Sequence, residues 1–301
     1  MSAAFRIGID LGGTKIEGAA VDLSGAVRVR RRVATPRQDY GATIAAIISL
    51  IGGIEQEIGT AASIGVGIPG AVSPITGLVK NANSTWLIGR PLKQDLEAAL
   101  GRPTRLANDA NCFALSEATD GAGAGMETVF GVILGTGVGG GVAIGGRTLV
   151  GANAIAGEWG HNPLPWADGD EHPGPVCWCG RAGCLETWVS GPGLEADHAR
   201  ATGVRIGAEE IAARAHTADV HAQATLARHA RRLARGLAHV INIFDPDVIV
   251  LGGGLSKLTH LYDVLPHLTA PHVFAAPAQV VIKPPAWGDA GGVRGAAWLW
   301  D

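Results

Sequence analysis

Gly157-Glu158-Trp159-Gly160-His161, followed after a Pro/Asp/Gly-rich connection by Cys177-Trp178-Cys179-Gly180-Arg181-Ala182-Gly183-Cys184-Leu185-Glu186, gathers the most reactive side chains of the chain into one loop-rich segment. Three thiols spaced C-x-C-x4-C, with Gly180 and Gly183 permitting tight turns, can surround one small cation. A single upstream histidine completes a Cys3His tetrahedron, the arrangement of a closed structural zinc site. Two other readings stand beside it: a disulfide plus a free thiol, or cysteines buried as small hydrophobes. Crowding of the thiols with turn glycines favours the metal. His161 is the expected fourth ligand, with His172, nearer in sequence to Cys177, as its competitor. Glu158 and His161 are three residues apart, which on a helical turn puts both on one face. One imidazole nitrogen can then bind zinc while the other meets a ligand hydroxyl. Glu158 and Glu186 flank that hydroxyl, and carboxylates are good acceptors for a polyol, so the segment points to a sugar.

Composition bounds what surrounds this segment. A chain of 301 residues with 47% apolar residues can bury the cores of two domains without disulfides. A net charge of −3 gives no electrostatic reason to bind nucleic acid or an anionic membrane surface. No uninterrupted apolar stretch is read as bilayer-spanning, and no signal-peptide pattern precedes the first strand. A reducing cytoplasm is the expected setting, where clustered cysteines hold metal.

Working outward, Phe5 to Asp10, Ile16 to Asp22 and Val27 to Ala34 read as an antiparallel meander. In the first turn the amides of Gly12 and Gly13 can point together at an anion, Thr14 adds a hydroxyl and Lys15 a charge, and Asp10 can hold magnesium through water. A Gly-Gly turn is also an ordinary hairpin, and no Walker A spacing is present. Gly41 to Gly59 has helical spacing, Ser63 to Ile68 is a buried strand, and Asn81 to Trp86 is an amide-rich loop in which Asn83 can grip a sugar. A helix from Pro91 to Leu100 precedes a strand from Thr104 to Ala107, which delivers Asn108 and Asp109 at its carboxyl end. There Asp109 is either a helix N-cap or a ligand-facing carboxylate. Thr128 to Leu134 is a strand, and Gly135-Thr136-Gly137-Val138-Gly139-Gly140-Gly141 leads into another, Val142 to Ile144. Two glycine-dense turns between strands, one in each half of the chain, suggest a duplicated architecture clamping nucleotide phosphates. Beyond the cysteines, helices are expected over 192–200, 207–215 and 220–244, the last with a basic, solvated face. The strand Val248 to Leu251 is followed by Gly252-Gly253-Gly254, and a helix from about Leu255 would lay its first amides beside a nucleotide. A short strand, Val280 to Lys283, and a terminal helix reaching Trp298 and Trp300 end the chain.

In this order, Asp10-Leu11-Gly12-Gly13-Thr14-Lys15, Asn108-Asp109-Ala110-Asn111, Gly135-Thr136-Gly137-Val138-Gly139-Gly140, the Glu158–His161 and Cys177–Glu186 motifs and Gly252-Gly253-Gly254 resemble the ROK family of sugar kinases and repressors across essentially the whole chain. Residues 80–87, 160–166 and 293–300 are most similar to its fructokinases, also called manno(fructo)kinases. The resemblance implies an α/β, two-domain actin-like ATPase (ribonuclease H-like) fold with a central cleft and a zinc-binding loop. Residues 1–108 would form a small domain completed by a helix over 289–301, and residues 109–288 a large domain carrying the zinc loop 157–186. It implies ATP-dependent phosphorylation of D-fructose to D-fructose 6-phosphate, with a glucose, mannose or N-acetylglucosamine kinase as the alternative and a non-catalytic sugar sensor as a further one.

In such kinases Asp109 would be the general base, and Asn83, Asn108, Glu158, His161 and Glu186 would hold the sugar. Asp10, Gly12, Gly13, Thr14, Lys15, Gly135, Thr136, Gly137 and Gly139 would serve the phosphates and Mg2+, and Gly252, Gly253 and Gly254 the adenosine. His161, Cys177, Cys179 and Cys184 would bind structural zinc. A homodimer is implied. Family repressors carry a helix-turn-helix module ahead of this body, for which the early Asp10 turn leaves no room.

Overall fold

The apolar runs at the N-terminus pair as the expected meander, β1 (Phe5–Leu11), β2 (Lys15–Asp22) and β3 (Val27–Ala34), with Asp10 opposite Glu17. The computed structural model describes residues 4–300. Helix α1 (Tyr40–Ile58) starts on the Asp39 side chain, which accepts from the Ala42 amide at 2.9 Å, and stops on left-handed Gly59. By length and composition α1 matches a bilayer-crossing helix, contrary to the expectation that no stretch would. In the fold it buries Ile47, Leu50, Ile51 and Ile54 in the core that Ile7, Ile9, Ile64 and Val66 build, which marks it as a core helix. β4 (Ser63–Ile68) follows, then a two-residue hairpin that sequence reading missed, β5 (Ala71–Val72) and β6 (Val79–Lys80). Next come α2 (Leu92–Leu100), with Pro91 at its cap position instead of within it, β7 (Thr104–Asn108) and α3 (Asp109–Asp120). The sheet order is β3-β2-β1-β4-β7, with β4 and β7 added parallel to β1.

Two compact units divide the chain. The first runs from the N-terminus to Glu127 and takes in Gly141–Ala156 and the chain from Ala286 onward; the second is Thr128–Gly140 with Gly157–Pro285. Sequence reading ended the first domain at residue 108, so α3 falls on the other side of the two boundaries; residues 1–3 and 301 of its ranges lie outside the described part. In the second unit β8 (Thr128–Leu134), β9 (Val138–Ile144), β11 (Val248–Gly252) and β12 (Ile282–Lys283) follow the order β9-β8-β11-β12, with β11 parallel to β8 and β12. The chain passes back to the first unit within β9, whose last residues pair with β10 (Arg147–Thr148). β9 begins at Val138, four residues before the expected start, and draws Gly139, Gly140 and Gly141 into a strand. The helices are α4 (Glu186–Val189), α5 (Gly191–Thr202), α6 (Ala208–His216), α7 (Val220–Phe244) and α8 (His260–Thr269). The helix expected from Leu255 is a 3-10 turn, Gly254–Lys257, and α8 starts only at His260.

The first unit is closed by α9 (Gly291–Ala297), which ends before Trp298 instead of reaching Trp300. It lies backbone on backbone. A Cβ at Gly8 would overlap the Val293 carbonyl, one at Gly65 the Ala296 carbonyl, and one at Gly295 the Cys112 carbonyl. Buried Arg294 locks the helix through Asp120 and the Gly25 carbonyl. Gly295→Ala is therefore expected to cost about 3 kcal/mol of unfolding free energy in urea melts, as overpacking does. Gly52→Ala on α1, where a Cβ meets nothing within 4 Å, should gain up to about 1 kcal/mol; equal effects of the two substitutions would contradict this packing.

Candidate active site

In the second unit the Glu158–His161 motif is a 3-10 turn, Trp159–His161, with Glu158 at its cap position. Residues three apart eclipse in such a turn, so Glu158 and His161 share a side. The turn lies directly against β9: a Cβ at Gly160 would overlap the Val138 carbonyl, and one at Gly140 would come within 2.7 Å of the Gly157 carbonyl. Trp159 is buried, donates from Nε1 to the Gly139 carbonyl at 3.0 Å and sets its ring edge-on to Phe130. Gly139 thus works as a strand residue and an acceptor for Trp159, not as part of an open phosphate turn.

The cysteine segment doubles back beside this turn. Cys177 donates its amide to the Arg181 carbonyl at 2.7 Å, Gly180 and Gly183 both take positive φ as their turns require, and Pro163 bridges Cys184. One ligand atom from each of His161, Cys177, Cys179 and Cys184 lies within 4.8 Å of all the others. His172 is not in that group. The Cys179 and Cys184 sulfurs are 3.6 Å apart, far beyond the roughly 2.05 Å of a disulfide, and the cysteines are free. His161 Nδ1 is 3.6 Å from Cys177 Sγ. Bonds of about 2.3 Å to sulfur and 2.0–2.1 Å to nitrogen would separate the donors of a tetrahedral zinc by roughly 3.5–3.8 Å. The donor set fits zinc in chemistry, and the Cys179–Cys184 and His161–Cys177 separations match its spacing. Burial and the neighbouring thiols push the Cys184 thiol up to about 12, so thiolates crowded this closely call for a cation.

The long acidic connection between His161 and Cys177 is pinned to α7. Glu171 accepts from Arg232 at 2.8 Å and Arg235 at 2.6 Å, and Arg235 also donates to the Trp166 carbonyl at 2.7 Å. Asp197 takes a further bond from Arg232 at 2.6 Å. The basic face of α7 is therefore only partly solvated, since Arg232 is buried. Sequence reading missed this clamp; an acid in the loop facing arginines three apart on a helix was its available signal.

Glu186 begins α4 and joins two motifs. Its Oε1 accepts from Trp178 Nε1 at 2.6 Å, and its Oε2 from the Val138 amide at 2.9 Å. A Cβ at Gly137 would come within 2.7 Å of that second oxygen, which accounts for Gly137. In the remaining glycine turn Gly135 donates to the Gly137 carbonyl at 3.0 Å, and Gly135 and Thr136 line a cleft of about 1240 Å³ with Gly254, Leu255, Lys257 and Arg231. Gly252 and Gly253 do not line it. Gly252 ends β11, and Gly253, at φ 79°, rests against the Leu134 carbonyl where any Cβ would clash.

In the first unit Asn108 is the N-cap of α3. Its Oδ1 accepts from the Ala110 amide at 2.9 Å and its Nδ2 donates to the Gly70 carbonyl at 3.0 Å. Asp109, the first helical residue, is half-buried, and its Oδ1 also accepts from the Ala110 amide, at 2.8 Å. Burial, then the charge of Asp109, then that of Glu17, raise Asp10 from the ordinary 3.8 to about 6. Two carboxylates that repel each other offer hard oxygen donors to a magnesium ion. In the β1–β2 turn the Gly12 amide closes onto the Lys15 carbonyl at 3.0 Å, so it does not point outward with Gly13 as expected. Thr14 and Lys15 are exposed, and Lys15 lies 3.9 Å from Glu17. Asn83 is exposed, and its Oδ1 accepts from Ser84 Oγ at 3.5 Å.

With that geometry in view, comparison decides the lineage: the ROK family model matches residues 6–301. The chain belongs to the ROK family. Its architecture is the α/β two-domain sugar-kinase fold of the actin-like ATPase type. It is 40% identical over 296 residues, 97% of this chain and 98% of the relative, to N-acetyl-D-glucosamine kinase of Photobacterium profundum. The ROK hexokinase of Thermus thermophilus superposes with a TM-score of 0.87 at 32% identity, covering 98% of this chain and 97% of the other. A ROK family glucokinase from Streptomyces griseus, in complex with glucose and AMPPNP, gives 0.78 at 29% identity, covering 97% and 98%. None of these relatives is a fructokinase, so the expected closeness to that subgroup finds no support among them.

Two outcomes follow from the site. Purified protein should carry about one zinc per chain by metal analysis, and Cys179→Ala should lose it; full zinc in that variant would remove the assignment. Ionised Asp10 burdens the folded state by at most roughly 3 kcal/mol once the pH is above 6, and hardly at all below about 3, where it is protonated folded and unfolded alike. Asp10→Asn without added cation should therefore melt higher than the parent at pH 7.5 and level with it at about pH 3, a difference that thermal denaturation at the two pH values will read.

Proposed function

We propose that the protein transfers the γ-phosphoryl group of ATP to the 6-hydroxyl of a hexose, with N-acetyl-D-glucosamine as the substrate. The observation that carries this reading is the end-to-end identity of 40% with an N-acetyl-D-glucosamine kinase. D-Fructose is the second reading, favoured by the likeness of residues 80–87, 160–166 and 293–300 to fructokinases. These hexoses share most hydroxyls, and small differences in pocket shape discriminate weakly.

On this reading Asp109 takes the proton of the attacking hydroxyl. Its place at the carboxyl end of β7, as the first residue of α3, supports the role. Glu158, His161 and Glu186 orient the sugar hydroxyls, with Asn83 and Asn108 as further polar contacts. The cleft at Gly135, Thr136 and Gly254 takes the nucleotide, and the Gly12–Lys15 turn its terminal phosphates. Bound magnesium, held through Asp10, would offset phosphate charge, and bound zinc would only hold His161 and the cysteines in place. Positioning and electrostatics supply most of the catalysis in phosphoryl transfer, so one carboxylate base suffices. A cytoplasmic homodimer is the proposed setting.

A coupled ADP-release assay over N-acetylglucosamine, glucose, mannose and fructose tests the reading. The highest kcat/KM is expected for N-acetylglucosamine, and Asp109→Asn should fold, bind sugar and lose at least about 10²–10⁴-fold in kcat. A preference of more than about tenfold for fructose would install the second reading, and wild-type turnover in Asp109→Asn would remove Asp109 from the chemistry.

A further inference from the structure

Trp178 occupies the position between the two ligands of the C-x-C pair, where zinc binding itself asks nothing of the side chain. Its surroundings ask a good deal. The indole Nε1 donates to Glu186 Oε1 at 2.6 Å, a short charge-assisted bond. The same ring forms a T-shaped pair with His161, with centroids 5.0 Å apart and planes at 83°. Two of the three polar side chains assigned to the sugar in the second unit are thus held by one residue. Despite both contacts the residue is 73% exposed. A lone exposed aromatic needs no explanation, but one that is held by its N–H and by a T-shaped contact with an imidazole, and is still largely exposed beside a carboxylate, is a preformed aromatic wall. Small-ligand sites combine such a wall with a few placed polar groups.

We infer that Trp178 is a positioning and sugar-contacting residue: its N–H sets the orientation of Glu186, its ring sets that of His161, and its exposed surface receives the apolar C–H surface of the hexose. The inference rests on the hexose-kinase reading and extends it. Glu186 keeps its second anchor, the Val138 amide at 2.9 Å, when Trp178 changes. Loss of the indole N–H should therefore disturb the sugar side and spare the nucleotide side.

Trp178→Phe keeps a ring and deletes the N–H, and Trp178→Leu deletes the ring. The Phe variant is expected to raise the hexose KM about tenfold, the scale of one hydrogen bond to a charged group, with ATP KM within about twofold and zinc content unchanged. The Leu variant should raise hexose KM further, and in both the sugar-induced change in tryptophan emission should fall by more than half. Hexose KM within about twofold of the parent in Trp178→Phe overturns the inference, as does an equal rise in ATP KM or loss of zinc, which would make Trp178 a structural staple. If the parent turns over no hexose, the kinase reading fails by itself. Calorimetric titration of parent and Phe variant with N-acetylglucosamine then still decides on Trp178: weaker binding in the variant supports it, and equal or absent binding in both ends it.

Discussion

The close approach of the Glu158–His161 turn to β9 governs the second unit's chemistry. At Gly160 and Gly140 no side chain separates the two backbones, so the turn sits nearer the strand than any alanine would allow. The buried Trp159 indole then fixes its rotation by reaching the Gly139 carbonyl. With rotation and distance set, His161 has one place to point, and its Nδ1 arrives 3.6 Å from Cys177 Sγ. A histidine that is to ligate a metal must be oriented to within a fraction of an ångström, and packed main chain supplies that orientation for His161. The same nearness explains a feature that spacing alone could not: β9 begins at Val138 because its glycines are needed as strand residues under the turn.

What holds the other end of the loop is electrostatic. Glu171 and Asp197 share Arg232, and Arg235 adds a second bond to Glu171. The neighbouring guanidinium charges hold both carboxyls below the usual carboxylate range, against burial that pushes them up. Buried ion pairs of this kind contribute little net stability, because desolvation offsets most of the attraction, but removing one partner strands the other. Their consequence is specificity: a loop carrying Asp168, Asp170 and Glu171 has one place on α7 where its charge is matched. A disordered acidic connection would leave the distance from His161 to the cysteines unset.

Much of this was legible from residues alone. Strong alternation and clean punctuation placed β1 to β4, α1 and α7 nearly to the residue, since Asp39, Gly59 and Asp219 cap where their chemistry says they should. The thiol cluster was legible because C-x-C-x4-C with turn glycines has few other uses. The failures share a cause. Gly139 to Gly141 have no strand propensity, and pairing, which is a tertiary fact, made them a strand. The two-residue strands of the β5–β6 hairpin are too short to show a period. Arg232 looked like one more charge on a wet helix because its partner sits in a loop far away in sequence. The choice among hexoses was the least legible, since it depends on pocket shape at the scale of single groups.

Glu186 shows how little freedom such a site leaves. A carboxylate offers about four lone-pair positions, and here Trp178 Nε1, with Cys177 Sγ at 4.0 Å, approaches Oε1 while the Val138 amide takes one on Oε2. The plane of the group is already fixed by donors at its two ends. An acceptor so braced pays little rotamer entropy when a hydroxyl binds, and it cannot swing away to suit a ligand of different shape. Because one brace comes from beside the cysteines and the other from the strand that leaves the Gly135 turn, any shift of the metal loop relative to β9 must stretch one of the two bonds. Glutamine could not replace it, having one oxygen for two donors. The sequence position demands a carboxylate, which explains the glutamate by geometry before any ligand is considered.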